Sequence, residues 1–352
     1  MKSFNFSLIT SLFLISAGCN NQVSLKSTDS IIAQGQMPNL AKTNSNQIHL
    51  VFGSGDSILY SFSADHGNTF SKPSLISMLP GLASSHMRGP QIAAGLNGLV
   101  VTACSNSGNI YSYSSDGNGT WTQGTRVNDV DTIAKENLMA LGADNNIVFA
   151  VWLDLRDRHN KIFGARSSDG GKTWSKNSMI YASPDGTVCE CCKPSVAVKG
   201  ENVYVMFRNW VNGNRDLYLT TSSNSGASFG ESQKLGKGTW PLKGCPMDGG
   251  GLTLNQNGNP ETVWNRKGTI YACEPGKEEK KLGEGKNCTM ESINGKNVYA
   301  WVEHGDVILM KPQGMKKNLG KGQLPVLKAT NKEHILCVWE KDKQIHKAVL
   351  EL

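Results

Sequence analysis

The chain is short of charge. Asp, Glu, Lys and Arg make up 18% of its 352 residues, below the roughly 25% of an average soluble domain. That shortage excludes a disordered, solvating chain, which carries more charge and fewer aromatics. A sustained helical stripe is also lacking: apolar residues come in short alternating runs, not at spacings of three and four. Beyond the N-terminus no apolar run reaches the ~20 residues of a membrane span. Aromatic and basic residues do not interleave as they do where nucleic acid is gripped, so no nucleic-acid partner is expected. The excess of 36 Lys+Arg over 29 Asp+Glu is dispersed, and its Lys-rich stretches at 277–286 and 311–321 read as solvated edges. What is plentiful is glycine, 38 residues, beside 8 Trp, 8 Tyr and 10 Phe. That mixture suits many short strands, tight turns and a real core.

The first residues read as a targeting segment. Lys2 supplies a basic start, Phe4 to Ile15 an apolar stretch too short to span a bilayer, and Ser16-Ala17-Gly18 a small-residue site before Cys19. This pattern resembles a bacterial lipoprotein signal, with cleavage after residue 18 and acylation of Cys19; the plainer alternative is a secretory signal with an incidental cysteine. Asn20, where retained lipoproteins of this class have Asp, implies an outer-membrane address. The expected organisation is a signal peptide at 1–18, a polar tether at 19–36 and one domain at 37–352. A lipid anchor is then the membrane contact, and the protein an exported monomer of the cell envelope, periplasmic or surface-facing.

Four segments repeat one another: Ser63-Ala-Asp65-His-Gly67-Asn-Thr69-Phe70, Ser114-Ser-Asp116-Gly-Asn118-Gly-Thr120-Trp121, Ser167-Ser-Asp169-Gly-Gly171-Lys-Thr173-Trp174 and Ser222-Ser-Asn224-Ser-Gly226-Ala-Ser228-Phe229. Their starts lie 51, 53 and 55 residues apart. They resemble the Asp-box of the bacterial neuraminidase (BNR) repeats of sialidases and related β-propellers. In such a box the Asp (Asp65, Asp116, Asp169, with Asn224 in its place in the fourth) caps a tight turn, Gly takes positive φ, and the aromatic fills the gap between sheets. A second pattern with the same period pairs an apolar run with an Asn/Gly turn and a β-branched run, as in Pro194-Ser-Val-Ala-Val and Val203-Tyr-Val-Met-Phe207. It yields seven units starting near 38, 90, 137, 194, 249, 288 and 325, each a four-stranded antiparallel meander. The expected fold is all-β, a single propeller with seven blades favoured; six, as in sialidases, is the alternative. The last unit lacks a fourth strand, which residues Val23 to Ala33 are expected to supply.

In a meander, alternate loops share a face. The Asp-boxes and the pairs Asn97-Gly98, Asn257-Gly258 and Asn294-Gly295 fall on one face, and the unusual residues fall on the other. That second face receives His86-Met87-Arg88, Cys189 to Lys193, Cys245-Pro-Met247-Asp248, Asp154 to His159, Arg208 to Asp216, Arg266 and Glu303-His304. Arg156, Arg208 and Arg266 are expected at near-equivalent positions of three consecutive blades, with Arg88 in an earlier one. Guanidinium forks suit a carboxylate ligand. The sialidase resemblance implies three arginines on the substrate carboxylate, an Asp acid/base and a Tyr nucleophile activated by Glu. Asp154 or Asp157 would then be the acid and Glu136 or Glu303 the partner of the Tyr. The family's aromatic-Arg-Ile-Pro start is absent, its nearest match being Met87-Arg88-Gly89-Pro90, and no Tyr falls clearly in a loop of that face. On the alternative reading these arginines pair with Asp154, Asp157 and Asp216 to hold the loops.

Without Cys19, eight cysteines remain, an even number that in an exported chain favours disulfides. Cys192 and Cys245 stand one repeat apart, in matching connections of adjacent blades. Cys189, Cys191, Cys192 and Cys245 therefore form either two disulfides or a soft-metal site with Met247 and His86 as extra ligands; no cofactor is otherwise required. Cys273 and Cys288 are expected to pair locally, Cys104 and Cys337 to be buried thiols. Three functions follow: an exo-glycosidase of sialidase type acting on extracellular glycans, a non-catalytic propeller binding a glycan or glycoprotein, or a metal-handling propeller.

Overall fold

In a computed structural model, residue 1 and residues 30–96, 98–116 and 119–352 are described. Every strand among them belongs to one of seven four-stranded antiparallel sheets. Six blades are continuous, at 36–78, 91–126, 139–181, 195–234, 251–284 and 286–321. The seventh takes three strands from 323–351 and its outermost from Ser30–Gln34, which pairs with the last strand of the chain. The expected unit starts lie within two residues of the observed first strands, and seven blades replace the six of the sialidase alternative. The closing strand overlaps the end of the expected segment, Val23 to Ala33, and runs on to Gln34; the rest of that segment, and Cys19, lie outside the described residues.

Burial explains the order of strands within a blade. The second strands, Ile48–Ser54, Ile147–Asp154 and His334–Lys341, are almost wholly buried, because both faces are covered by neighbouring blades. Phe52, Trp152, Trp301 and Trp339 are fully enclosed there. Two of the fourth strands, Thr125–Arg126 and Gln233–Lys234, are two residues long and polar, which blunts the outer edge. The Asp-boxes lie between third and fourth strands, as expected. Thr69 donates to Asp65 from both N–H (2.8 Å) and hydroxyl (2.6 Å), and Thr173 does the same to Asp169. Asn224 keeps the turn by accepting from Ser228 N–H at 3.0 Å. Each box also touches the preceding blade: Trp174 Nε1 donates to Ser112 Oγ at 2.8 Å, and Phe229 meets Phe149 edge-on.

The joints between blades are of two kinds. Three consist of one glycine each, Gly35, Gly285 and Gly322. A Cβ there would lie 2.2 Å from the Phe52 ring, 2.5 Å from the Trp301 indole and 2.1 Å from the Trp339 indole, so the backbone crosses an aromatic face that admits no side chain. The other four joints, 79–90, 127–138, 182–194 and 235–250, are long. All four open onto the same face and crowd one side of the ring. Cys104 and Cys337 are buried thiols as expected, whereas Cys273 and Cys288 do not pair. Both are buried thiols, and Cys273 Sγ turns to the carbonyls of Glu274 and Lys277 instead.

Candidate functional site

The first strands of all seven blades surround a central cavity of about 280 Å³. It opens toward the long joints through a hollow of about 220 Å³ in which His86, Met247, Lys286 and Glu340 take part; Met87, Asn287 and Leu324 line both spaces. The opening is built by a repeated irregularity. In blades 1, 6 and 7 the register slips between Gln36 and Asn39, Lys286 and Thr289, and Gln323 and Val326. Met37, Asn287 and Leu324 sit in these bulges with φ of 55°, 53° and 52°. A bulge re-aims a side chain, and here it brings one residue per blade to the cavity wall.

Polar groups cross the cavity in a connected set. Lys193 Nζ donates to Gln91 Oε1 at 2.7 Å, and Asn39 Nδ2 reaches the same oxygen at 3.4 Å. Gln91 is fixed by donating to the Gly89 and Pro90 carbonyls, and Asn39 Oδ1 accepts from Ile92 N–H. Burial pushes the Lys193 ammonium down to about 8. Buried Glu340 accepts from Met37 N–H at 3.0 Å and from the Gln36 and Gln323 amides. Buried Asp248 accepts from the N–H groups of Asn287 (2.8 Å) and Gly250. Burial raises its carboxyl, with Arg208 opposing. No local motif marks these residues in the sequence; a glycine joint followed by a bulged strand marks only Asn39 among them, with the wall residues Met37, Asn287 and Leu324.

The four expected arginines have separate partners. Arg208 is buried, and its guanidinium donates to the carbonyls of Asp248 (3.0 Å), Arg215 (2.8 Å) and Asn265 (3.1 Å) beneath Trp240. Arg266 is paired with Glu279 and lies over the Tyr271 ring. Arg208 and Arg266 end the second strands of adjacent blades, but Arg156 lies two residues beyond the strand end at Asp154, so the three are not equivalent. It bridges Asp154, Asp129 and Asn177. Buried Asp154 also accepts from Trp152 Nε1 at 2.9 Å, and exposed Asp157 pairs with Lys161. Glu303 accepts from Trp301 Nε1 at 3.2 Å and lies 3.8 Å from Lys316. Arg88 donates to the Glu136 carbonyl at 2.7 Å and stands 3.8 Å from its carboxylate. Desolvation raises the Glu136 carboxyl; Arg88 and Asn160 oppose this and Glu190 adds to it. Here two carboxylates from different joints act on each other. Of the eight tyrosines, every one is a strand residue or lies at a strand end.

The cysteines gather at the crowded side. Cys191 is joined to Cys245, tying the 182–194 joint to the 235–250 joint, so the neighbour of Cys245 is one residue before the repeat-matched Cys192. Cys189 Sγ lies 3.2 Å from Cys192 Sγ and 3.7 Å from Cys191 Sγ, and Arg215 donates to it at 3.1 Å. The Cys192 contact brings the Cys189 thiol down to about 7, against burial and with help from Arg208 and Arg215; burial drives the Cys192 thiol up. His86 and Met247 line the cavity mouth, and among the described residues no cysteine lines that hollow.

The profile of the BNR repeat-like domain family matches residues 20–185 and 102–243. No curated protein matches the chain. Among solved structures, the BP39L lectin from Burkholderia pseudomallei is similar at a TM-score of 0.63 and 11% identity, over 90% of this chain and 96% of the lectin. The Penicillium chrysogenum alpha-L-arabinanase complexed with arabinobiose is similar at 0.51 and 11%, over 92% and 97%. The NanB sialidase from Streptococcus pneumoniae is similar at 0.48 and 12%, over 92% and 70%.

Proposed function

From the chain's membership of the BNR repeat-like family we propose that it is a carbohydrate-binding propeller, holding the end of a glycan in the central cavity from the loop face. One observation carries this reading: the inner strands and the inner ends of two long joints bring amides and a lysine (Gln91, Asn287, Lys193) and apolar walls (Met37, Met87, Leu324) to one cavity open to the long joints. Amides that both donate and accept suit sugar hydroxyls, and flat apolar walls suit the C–H face of a pyranose. The volume, at the small end for ligand pockets, fits a glycan terminus better than a chain interior. The lectin and arabinanase likenesses support a sugar ligand as a class. Attached through Cys19, the propeller would work as a monomer at the cell envelope, presenting this face to an extracellular glycan or glycoprotein.

Hydrolysis is the second reading, and it rests on Glu136 in the 127–138 joint, whose carboxyl desolvation raises against the Arg88 charge, with the Glu190 charge adding to the rise. Glycoside cleavage needs such a pair with the acid held protonated. The sialidase assignment has less support, since Arg208 and Arg266 are engaged by protein groups and Tyr side chains are confined to strands.

The test is a glycan array probed with the mature chain, followed by calorimetry on the best ligand. Binding is expected, weakened at least tenfold by Asn287→Ala or Gln91→Ala; an array without a single sugar ligand overturns the proposal. The same chain is assayed on fluorogenic glycosides, including a sialoside. Turnover abolished by Glu136→Gln would replace binding with hydrolysis.

A further inference from the structure

The geometry points to a soft-metal site made of Cys189, Cys191, Cys192 and Cys245, available once the Cys191–Cys245 bond is reduced. This inference is independent of the sugar reading, because none of these sulfurs lines the central cavity or its mouth.

The sulfurs of Cys189, Cys191 and Cys192 all lie within 4.8 Å of one another. Zn–S bonds of about 2.3 Å, arranged tetrahedrally, set sulfur–sulfur edges of about 3.8 Å. The Cys189 to Cys191 separation of 3.7 Å matches that edge, and the 3.2 Å from Cys189 to Cys192 falls short of it, so those two sulfurs must part by roughly half an ångström to admit an ion. The fourth sulfur arrives from another joint: Cys245 has its Cα 6.2 Å from that of Cys191, in a stretch free of strand pairing that can yield as the two sulfurs part. Ligands must be thiolates, and one cation already touches the group: Arg215 donates to Cys189 Sγ at 3.1 Å. Glu190 shares the Arg215 charge from the solvent side without reaching the sulfurs. Thiolates select ions such as Zn(II) and Cu(I) over hard cations, and four of them favour tetrahedral Zn(II).

The disulfide and the metal are therefore alternatives for the same atoms. Two electrons from a dithiol or phosphine break the Cys191–Cys245 bond and give two thiols; the reductant leaves as its disulfide or as phosphine oxide. Metal binding then displaces the thiol protons to solvent. In either state the 182–194 and 235–250 joints stay tied, by a covalent bond in one and by the ion in the other.

The experiment uses the full mature chain, with and without a phosphine reductant, equilibrated with Zn(II) and freed of loose ion before metal analysis; Cd(II) reports thiolate ligation by its charge-transfer absorption. One equivalent per chain is expected after reduction and less than a tenth without it. Cys189→Ser should weaken binding at least a hundredfold. Cys104→Ser, altering a buried thiol of another blade, should leave it unchanged. Circular dichroism of each variant confirms the fold, and Cys245→Ser, at an exposed position, gives a second ligand deletion that does not touch the core. A reduced wild type that takes up no more metal than the unreduced one overturns the inference, as does equal uptake by the folded Cys189→Ser and Cys245→Ser variants.

Discussion

Lys193 and Gln91, 102 positions apart, meet in the central cavity with Nζ 2.7 Å from Oε1. Burial lowers the Lys193 ammonium from the ordinary 10.5 to about 8. Between those two values the unfolded chain binds the extra proton, so stability rises with pH across that window; below about 8 the folded chain carries the full cost of the enclosed charge. Lys193→Met should raise stability at pH 7 by about 1–3 kcal/mol, and the gain should vanish above pH ~10.5. Urea unfolding at pH 7 and pH 10 checks this. Competitive acetylation followed by peptide mass spectrometry at pH 8 should find Lys193 more reactive than the exposed lysines.

Arg208 separates a structural arginine from a ligand-binding one. Its three carbonyl partners come from three segments, and each loses this donor when the guanidinium is removed. Arg208→Ala should cost about 3–5 kcal/mol of stability, as for other buried charged hydrogen-bond donors. Thermal unfolding measures it. If Arg208 served a ligand carboxylate instead, the variant would keep its melting temperature and lose only binding.

The blade count, the turn face and the loop face were legible in the sequence because they rest on local chemistry: Asp-Thr turns, Asn-Gly pairs and period-two burial act over eight residues or fewer. Where side chains end up was not legible. The sequence places Arg208 at a loop start, yet the long side chain folds inward under Trp240 to reach carbonyls 40 and 57 residues away. Cys191 and Cys192 are one residue apart and point differently, so a repeat spacing could not choose between them as the partner of Cys245. Arg156 misses equivalence because its second strand, Ile147–Asp154, ends at the carboxylate that then holds it. The Cys273–Cys288 pairing failed because a short intervening segment does not ensure meeting: Cys273 ends a third strand, while Cys288 is in the first strand of the next blade.

The Asp-boxes should tolerate amide but not methyl. Asn224 shows that the turn needs one carbonyl-type acceptor, not a charge. Asp65→Asn should therefore change stability little at pH 7, and Asp65→Ala should cost about 1 kcal/mol, the usual value of a lost cap. Despite its partial desolvation, the Asp65 carboxyl is held down to about 2 by Thr69 and Ser63. Its stabilisation is present above the ordinary 3.8 and lost as the pH falls through about 2, a loss absent from Asp65→Asn. Denaturant midpoints at pH 7 and pH 2.5 distinguish the two.

Closure of the ring by Ser30–Gln34 has a consequence for association. The strand covers the outer edge of the last strand, Gln344–Glu351, from Gln344 to Lys347, and Gly35 N–H donates to the Lys343 carbonyl to hold the return. A chain beginning at residue 35 uncovers Gln344–Lys347 in an eight-residue edge strand, long enough to pair with another chain. It should melt lower than the full chain and elute partly as dimer or aggregate in size-exclusion chromatography. A peptide spanning 30–34, added in excess, should restore the monomer.

The glycine joints can be tested by a paired substitution. In Gly322→Ala the added Cβ would lie 2.1 Å from Trp339 Cδ1 and 2.7 Å from Nε1, and the indole cannot retreat because it is fully enclosed and donates to the Lys321 carbonyl at 3.1 Å. The strain should cost about 1–3 kcal/mol or more, the range for overpacking a tight core. Trp339→Leu alone should cost about 3 kcal/mol through the volume it removes. Combined, the two should cost less than their sum, because the smaller side chain makes room for the methyl and the methyl fills part of the void. Additive losses in denaturant unfolding would mean that the glycine is required for its backbone conformation and not for the aromatic face it crosses.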